Sequence, residues 1–411
     1  MKSIQSSIKT IAEKIAKNIE TPFYILDIAE IESKYKKVIT SWRYYFPNTS
    51  VAYSYKTNSL KALTVTLMRN GSSAEVVSGL ELDWAIADGF TPEKIYFNGS
   101  IKTNEDIEHA LELGVNILID SVDEFQAIIN RLYKSGTKPN LIPRMSVENG
   151  EGKTSRFGLT ITELLEISKK MEKYDLCFKG IHFHVGSNNN SASKYISTLE
   201  MYKDIIKKML VENKTPICID IGGGFSANSS YKDIIPIDSS AFAKEVYQFF
   251  ISNCISPSSL NLVIEPGRSI VEDYGYLVSR VKVRKSREGR NLLITDAGAH
   301  LLHSIQNRYH PVEFAKELYG ANKLYDIYGT NCFEKDILDK QISGPDIVNI
   351  DDLIIIGSAG GYDIPLEAVW TKLSPAIYGC YRGECYIIRD MQKSSDTRNR
   401  QRMMDCPMSI G

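Results

Sequence analysis

Short apolar runs rich in β-branched residues alternate with helical patterns through the first two-thirds of the chain. Runs of this kind are typical of buried parallel strands, and the stretches between them have the apolar spacing of amphipathic helices. Several helices begin at capping residues, as at Ser121, which has Glu124 three positions later. Eight strands are predicted, at residues 51–55, 74–77, 95–97, 117–119, 141–144, 181–185, 217–221 and 262–264.

The number and spacing of these strands indicate the architecture. Eight strands, each separated from the next by room for a helix, are the number that closes a parallel barrel. An open, doubly wound sheet is the competing arrangement, and the barrel is favoured because candidate chemistry follows several strand ends. We therefore predict an α/β fold with a (β/α)8 TIM barrel over residues 29–272.

After residue 272 the pattern changes to the two-residue alternation of half-buried strands. A strand, a hairpin turn and a return strand are predicted at 276–285, 286–290 and 292–295. The early strand 23–27 is a candidate to pair with them. We predict a second, mostly antiparallel β domain made of residues 1–28 plus 273–411, with a polar, loosely ordered tail at 391–411.

Composition excludes several classes of function. The chain has 411 residues and a formal net charge of −1, and it contains no basic run of the kind that binds nucleic acid. No window reaches the roughly 18 uninterrupted apolar residues that a membrane span needs. The seven cysteines are odd in number and scattered, and neither they nor the six histidines show metal-ligand spacing. We expect a reduced, cytoplasmic protein without a nucleic-acid partner, a membrane segment or a metal site.

Reactive side chains follow the first and sixth predicted strands, at the carboxyl ends where barrel enzymes bind ligands. Lys56 ends the first strand, where desolvation lowers an amine pKa and makes the amine a usable nucleophile. His182 and His184 share one face of the sixth strand, with Ser187 in the loop beyond. A histidine there can stack on a flat ring, and a serine hydroxyl can bind phosphate. A solvated lysine and two histidines satisfied inside the barrel are the alternatives.

The seventh and eighth strands end in groups suited to ionic ligands. Gly222, Gly223 and Gly224 expose backbone N–H groups to an anion, although a tight turn without a ligand has the same composition. Glu265 and Arg268 follow the eighth strand. A carboxylate buried there needs a partner such as a protonated pyridine nitrogen, and an arginine suits a phosphate. An ordinary Pro-Gly turn explains that segment equally well when it is taken alone.

The four segments together match the parts of one molecule, a phosphorylated pyridine aldehyde. From about residue 21 to about residue 376, the chain resembles the barrel-type (fold-type III) pyridoxal-phosphate decarboxylases, the ornithine and diaminopimelate decarboxylase family. The resemblance implies pyridoxal 5'-phosphate as cofactor, held covalently by Lys56, with His184 stacked on its ring and Glu265 on its nitrogen. It assigns the phosphate to Ser187, Gly222, Gly223, Gly224, Arg268 and Tyr362.

The predicted β domain adds a candidate proton donor. Residues 329–332, with Asp336 four residues after the cysteine, resemble the family's Gly-Pro-x-Cys segment. In the family that cysteine enters the active site from the partner subunit and protonates the carbanion. The resemblance therefore implies a homodimer with shared sites and a catalytic role for Cys332, although a small buried hydrophobe is the usual role of a lone cysteine. In the barrel, Arg144 matches a family arginine, and Arg156 replaces a family lysine for no reason visible in the sequence.

Three departures from the family concern the substrate. Phe333 stands where relatives acting on diamines or diaminopimelate have an acid that binds the distal ammonium. A segment with Arg308 and His310 replaces the Arg-Pro-Ala-Leu-Tyr stretch of diaminopimelate decarboxylases, and the loop 146–154 looks short and polar. We expect a longer, conjugated or carrier-linked amino acid as substrate in a specialised biosynthetic pathway. Its candidate contacts are Arg308, His310, Phe333 and Asp336.

Three alternatives stay open from the sequence. One is diaminopimelate decarboxylase proper. Another is an amino-acid racemase on the same barrel, using Lys56 and a second base, against which the Cys332 segment argues. The third is a non-catalytic regulator that kept the fold, and the presence of Lys56, His184, Glu265, Arg268 and Cys332 together argues against it.

Overall fold

The computed structural model describes residues 3–132, 138–147, 155–213, 216–228, 238–305, 307–316 and 323–399. The chain divides into two compact units. We call Ile28–Asp273 the barrel unit, and Met1–Asp27 with Tyr274–Gly411 the β unit. Most of the loop predicted at 146–154 lies outside the described residues.

The amino-terminal segment belongs to the β unit. Helix α1 (Ser6–Ala16) buries Ile8, Ala12 and Ala16, which recur every four residues and form one apolar face. This face packs in the core of the β unit with strand β1 (Phe23–Asp27), whose Phe23 and Ile25 are fully buried.

The barrel unit is built around a closed ring of eight parallel strands. Each strand pairs with the next along the chain, and the first closes on the eighth through Ser50 with Val263 and Val51 with Ile264. The predicted (β/α)8 fold is therefore confirmed, with every strand limit within two residues of its prediction. The strands are β2 (Ser50–Ser54), β3 (Ser73–Val76), β4 (Ile95–Phe97), β5 (Asn116–Ile119), β6 (Asn140–Met145), β7 (Gly180–Phe183), β8 (Ile217–Asp220) and β9 (Leu260–Ile264).

Alternation along these strands fills the barrel with side chains. One buried cluster combines Ala52, Tyr96, Leu118, Ile142, Cys218 and Val263 from six of the eight strands. The barrel interior is therefore a packed core rather than a pore. Polar and charged side chains collect instead after the strand ends.

Helices follow the strands and begin at capping residues. Ser121 accepts a hydrogen bond from Glu124 N, whereas the Glu124 carboxylate bonds Asp120 N rather than the N–H of Ser121. Full reciprocal capping boxes form at Thr103 and Thr160. The helices are α2 (Ile28–Arg43), α3 (Lys61–Arg69), α4 (Gly79–Ala87), α5 (Asn104–Leu113), α6 (Val122–Ile129), α7 (Ile161–Glu172), α8 (Ser193–Glu212), α9 (Ser239–Ser252) and α10 (Arg268–Val271).

In the described residues, the β unit has one sheet of nine strands, and the sheet is mostly antiparallel, as predicted. Strand β1 lies inside this sheet, antiparallel to β10 and parallel to β16. The predicted hairpin joins β10 and β11 through Glu288 and Gly289, both with positive φ, which suits the twist of the paired strands. Besides β1, the strands are β10 (Gly275–Arg287), β11 (Arg290–Thr295), β12 (Val312–Phe314), β13 (Lys323–Tyr328), β14 (Ile337–Gly344), β15 (Leu353–Ile356), β16 (Ile377–Tyr381) and β17 (Glu384–Arg389).

The expectation that the cysteines are all reduced is wrong at one place. Cys380 and Cys385 lie opposite each other in the β16–β17 hairpin and form a disulfide. The spacing of five residues alone does not predict this disulfide, because the two Cα atoms come within 4.2 Å only through the tight turn between the two strands. Among the other described cysteines, Cys177, Cys254 and Cys332 are exposed free thiols, and Cys218 is a buried one.

Two short helices complete the β unit, α11 (Asp363–Leu366) and α12 (Ser394–Arg398). The latter lies in the tail predicted to be loosely ordered, and residues 400–411 of that tail lie outside the described residues. Within the described part of the chain, no helix has the length and apolar character needed to cross a membrane.

Candidate active site

Lys56 follows β2 in a short 3-10 turn, at the carboxyl end of the barrel strands. Its Nζ donates to both carboxylate oxygens of Glu75, at 2.8 and 2.7 Å. Glu75 lies on β3 with its side chain fully buried, and it also accepts hydrogen bonds from Ser54 Oγ at 2.5 Å and Asn98 Nδ2 at 3.3 Å. Our reading of the sequence missed Glu75, although a carboxylate inside an otherwise apolar strand is the signal that finds it.

A second carboxyl, Glu81, lies in the first turn of α4. Burial raises its pKa to about 7; a hydrogen bond from Val77 N opposes this shift, and the charge of Glu75 adds to it. Lys56 lowers the pKa by a smaller amount. Lys56 therefore has one acid, Glu75, as its direct partner, and a second acid nearby, Glu81, with a pKa of about 7.

His184 follows β7, and its Nδ1 accepts a hydrogen bond from Gly223 N at 3.3 Å. Burial lowers its pKa to about 4; Glu265 opposes this shift, whereas Lys56 and Arg144 add to it. The imidazole is therefore neutral at ordinary pH, with its remaining hydrogen on Nε2. Ser187, three residues later, is exposed.

The three glycines after β8 are required by close packing. A Cβ at Gly222, Gly223 or Gly224 would lie 2.4, 2.3 or 1.9 Å from the carbonyl oxygen of Phe183, Glu265 or Gly186, respectively. The N–H of Gly222 bonds Asp220, that of Gly223 bonds His184, and Gly223 O accepts from Tyr195 OH at 2.7 Å. Contact with neighbouring strands explains these glycines without a ligand, so the phosphate cradle stays a prediction.

Glu265 and Arg268 follow β9 and are both buried. Arg268 forms an ion pair with Glu272 one helical turn later. Glu265 Oε1 has no hydrogen-bond partner among the described residues, and its Oε2 lies 3.5 Å from His182 Nε2. Burial lowers the pKa of His182 well below its ordinary value, so this histidine supplies no charge to the carboxylate.

Arg144 lies on β6 and its guanidinium is held by groups from neighbouring strands. It donates to Asn98 Oδ1 at 3.2 Å and lies 3.4 Å from Asp120 Oδ1. Its guanidinium carbon is 4.7 Å from the ring centre of Phe157, and that of Arg156 is 4.3 Å from the same ring. The arginine that replaces the family lysine therefore stacks on the neighbouring aromatic ring.

In the β unit, Cys332 is exposed and its loop is closed by Asp336. The buried carboxylate accepts from Ala299 N at 2.6 Å, Asn331 N at 2.7 Å and Asn331 Nδ2 at 2.8 Å. The sequence suggested Asp336 as a substrate contact, whereas these bonds occupy both of its oxygens. The role of Asp336 in substrate binding stays a prediction, and its bonds to Ala299 and Asn331 give it an alternative role, that of holding the loop.

The other predicted substrate contacts also lie in the β unit. The ring of Phe333 is exposed and meets Trp370 edge to face, with centroids 6.0 Å apart. Arg308 lies over the ring of Tyr362, 5.5 Å from its centre. His310 is buried: its Nδ1 donates to Gly357 O at 3.0 Å, and its Nε2 lies 2.8 Å from Ser304 Oγ. A substrate bond to His310 would have to replace one of these contacts.

Comparison with known proteins agrees with this chemistry. Residues 29–272 match the family model described as "Pyridoxal-dependent decarboxylase, pyridoxal binding domain". Diaminopimelate decarboxylase of Zymomonas mobilis is 28% identical over 78% of this chain and 78% of its own length. That of Methanocaldococcus jannaschii is 26% identical over 94% of this chain and 92% of its own length.

Solved structures give the same result for the fold. The crystal structure of M. jannaschii diaminopimelate decarboxylase with L-lysine has a TM-score of 0.86 at 25% identity, covering 94% of this chain and 93% of that one. The crystal structure of the lysine/ornithine decarboxylase of Vibrio vulnificus with putrescine shares the fold. Its TM-score is 0.75 at 21% identity, covering 89% of this chain and 96% of that one. The chain therefore belongs to the pyridoxal-dependent decarboxylases, and it is a pyridoxal-phosphate-dependent amino-acid carboxy-lyase.

Proposed function

We propose that this enzyme decarboxylates an α-amino acid whose distal group is uncharged or anionic and longer than that of lysine or ornithine, such as a conjugated or carrier-linked amino acid. The observation that carries the substrate part is the exposed aromatic pair of Phe333 and Trp370 next to Cys332. The carboxylate of Asp336 has both oxygens bonded within the β unit, so a distal ammonium would have to compete with those bonds.

The balance of energies argues against a distal ammonium at this position. A cation over an aromatic face gains about 0.5–2 kcal/mol. Leaving a desolvated cation without its acidic partner costs several kcal/mol, which is the larger effect. Arg308, which lies over Tyr362, is the candidate to bind an anionic distal group.

The barrel residues fit pyridoxal phosphate on one observation in particular. Glu265 Oε1 is a buried acceptor without a partner among the described residues, and a protonated ring nitrogen is the donor that it lacks. When bound, the cofactor supplies an electron-accepting ring that takes up the electron pair left by departing carbon dioxide. Lys56 would hold it covalently, and neutral His184 would cover its ring. Its phosphate would go to Ser187, Gly222, Gly223, Gly224, Arg268 and Tyr362.

The chain's own groups then handle the protons. Lys56 must lose a proton before its amine can act as a nucleophile, and Glu75, bonded to Nζ, is positioned to accept it. The exposed thiol of Cys332 is the proposed donor to the substrate Cα. We include in the proposal a twofold homodimer in which Cys332 serves the partner's Lys56.

Diaminopimelate decarboxylase itself is the second candidate, because the curated relatives carry that name. The test is carbon dioxide release by the purified enzyme over a panel of amino acids. The panel contains ornithine, lysine and meso-diaminopimelate beside amino acids with uncharged, citrate-conjugated or carrier-linked distal groups. We expect activity on the second group and at least roughly a hundredfold lower kcat/KM on the first.

Two variants sharpen this test. Phe333→Asp should raise kcat/KM for the diamino acids, because it restores an acid at the distal site, and Glu334→Gln is the matched control that should change little. Efficient turnover of meso-diaminopimelate by the wild-type enzyme would refute the substrate proposal and leave the decarboxylase assignment intact.

A further inference from the structure

Two buried side chains beside Glu265 have no role in the proposal above. Asp220 ends β8, and His182 lies opposite it on the paired strand β7. Both are completely buried. One polar atom from each of Asp220, His182 and Glu265 lies within 4.8 Å of the other two, so the three groups form one cluster at the carboxyl ends of three adjacent strands.

The hydrogen bonding of this cluster is incomplete. Asp220 Oδ1 accepts from Gly222 N at 2.9 Å, whereas Asp220 Oδ2, Glu265 Oε1 and both His182 nitrogens have no hydrogen-bond partner among the described residues. The two cations of the neighbourhood are engaged with other acids: Lys56 lies 2.7 Å from Glu75, and Arg144 lies 3.4 Å from Asp120. The cluster therefore has to balance its own charge.

Two carboxylates this close, both buried and neither bonded directly to a cation among the described residues, do not both ionise. We propose that Asp220 keeps its proton and donates a hydrogen bond to Glu265, so that the pair carries a single negative charge. His182 stays neutral and presents its Nε2 hydrogen to the same carboxylate. Asp220 is thereby a positioning residue, because it acts on the cofactor site through Glu265.

The groups packed around Asp220 support this distribution of charge. Burial raises the pKa of Asp220 well above its ordinary value, the charge of Glu265 raises it further, and the bond from Gly222 N opposes both. Glu75 adds a smaller rise. The remaining titratable neighbours, Tyr96 and Cys218, are uncharged because burial raises their pKa values as well.

This inference rests on the proposed function in one respect, the position of the ring nitrogen at Glu265. One negative charge on the Asp220–Glu265 pair balances the positive charge of a protonated ring nitrogen. Two negative charges on the pair would leave the buried site with an unbalanced negative charge. The neutral Asp220 also holds the Glu265 carboxylate in a fixed orientation through its hydrogen bond. Both effects require a proton donor at position 220 and do not require a charge there.

The first test uses the cofactor-free protein at neutral pH and infrared difference spectroscopy. The wild-type minus Asp220→Asn spectrum should contain the C=O band of a neutral carboxylic acid. The matched control is Asp88→Asn, which removes a buried carboxylate that accepts from Tyr55 OH at 2.8 Å and also from Thr64 Oγ1. Its difference spectrum should lack this neutral-acid band, because two hydroxyl groups already donate to the Asp88 carboxylate. The proposal is overturned if the wild-type minus Asp220→Asn spectrum lacks the neutral-acid band. It is also overturned if Glu265→Gln removes that band and Asp220→Asn does not, because the proton would then be on Glu265.

The second test measures pyridoxal phosphate affinity and the absorption spectrum of the bound cofactor. Asp220→Asn keeps a neutral donor and should bind within about threefold of wild type with an unchanged spectrum. Asp220→Ala removes the donor and should weaken binding roughly tenfold and shift the band. Equal losses in both variants would mean that the residue acts only through packing and would overturn the proposal.

A third measurement separates this proposal from a cation site made by the same three side chains. Titration of the wild-type protein with Zn²⁺ alone should show no stoichiometric binding at this cluster. Stoichiometric Zn²⁺ binding that is lost in Asp220→Ala would overturn the shared-proton arrangement. Failure of the proposed function gives a different result, because the neutral-acid band would be present while no cofactor binds at Lys56.

Discussion

Two buried acids of the barrel unit and two of the β unit differ in how completely they are hydrogen-bonded. In the β unit, the buried Asp326 accepts from Gln341 N at 3.0 Å and from Arg290 Nη1 at 3.3 Å, and both oxygens of the buried Asp336 are also bonded. In the barrel unit, Asp220 and Glu265 each keep a buried oxygen without a hydrogen bond among the described residues. An unmet buried acceptor costs about 1–3 kcal/mol. The difference therefore distinguishes acids that hold a loop from acids that need a ligand or a proton.

Asp363 is an exception in the β unit. Its Oδ1 is bonded by Ser304, whereas its Oδ2 has no hydrogen-bond partner among the described residues and lies 3.8 Å from His310 Nε2. Burial raises the pKa of this acid, opposed by His310 and by the bonds from Ser304. An incompletely bonded acid is thus found beside Tyr362 and close to Arg308, the residue proposed to bind the distal group of the substrate.

The largest effect is expected at Lys56. Lys56→Ala removes the only side chain proposed to hold the cofactor covalently, so carbon dioxide release should fall roughly a thousandfold or more. Borohydride treatment of wild type followed by peptide mapping should find the cofactor on the peptide that contains Lys56. Lys61→Ala, an exposed lysine one turn away, is the control and should be active. Cofactor recovered on another lysine would remove the basis of the assignment.

Mixing inactive variants tests whether the two units act across subunits. If Cys332 serves the partner's Lys56, Lys56→Ala and Cys332→Ala proteins that exchange subunits should recover about a quarter of wild-type activity. Half of the dimers are then hybrids, and each has one intact site of two. Cys177→Ala, another exposed cysteine, should be active without mixing. No recovery despite proven exchange would place both residues in the same subunit's site.

Asp336→Asn tests whether this acid serves the loop or the substrate. The amide replaces one of the two acceptor oxygens by a donor, which then faces the N–H of either Ala299 or Asn331, so we expect about 1–3 kcal/mol less stability and a melting temperature several degrees lower. Glu334→Gln is the exposed control and should not change the melting temperature. A large rise in KM at unchanged stability would instead favour the substrate contact predicted from the sequence.

The smallest effect concerns Glu81, whose pKa of about 7 in the folded chain lies above the ordinary value of 4.5. Its contribution to stability is complete below about pH 4.5 and is lost as the pH rises through about 7. Glu81→Gln should therefore gain stability relative to wild type over this range, by about 1–2 kcal/mol after allowance for solvent screening. Melting curves of the cofactor-free proteins at several pH values measure the gain. Glu112→Gln, on the exposed face of α5, should show none.

Local sequence patterns predicted the elements well, because strand and helix periods are properties of neighbouring residues. The apolar runs predicted the eight barrel strands, and the turn predicted at 286–290 contains the Glu288–Gly289 turn of the β10–β11 hairpin. The pattern failed for polar residues inside apolar runs. Glu75 and Asp220 were read as parts of strands, although a buried carboxylate signals a partner elsewhere in the fold.

Contacts that compete with a predicted role were also not visible in the sequence. His310 suggested a substrate contact, but Gly357, 47 residues later, accepts its Nδ1 hydrogen inside the β unit. Arg268 pairs with Glu272 one helical turn later, a local partner that the four-residue spacing could have indicated, and its phosphate role stays a prediction. The bond of His310 depends on tertiary placement, which hydrophobic periodicity does not encode.

The position of β1 inside its sheet has a consequence for synthesis of the protein. The strand leaves the ribosome early, but its neighbours β10 and β16 begin at Gly275 and Ile377, hundreds of residues later. At about 5–20 residues per second, the first neighbour is translated roughly 12–50 s after β1. During that interval the apolar strand has both edges unpaired, while the whole barrel sequence has time to fold. A nascent chain paused before Gly275 should therefore contain a protease-resistant barrel preceded by a cleavable amino terminus.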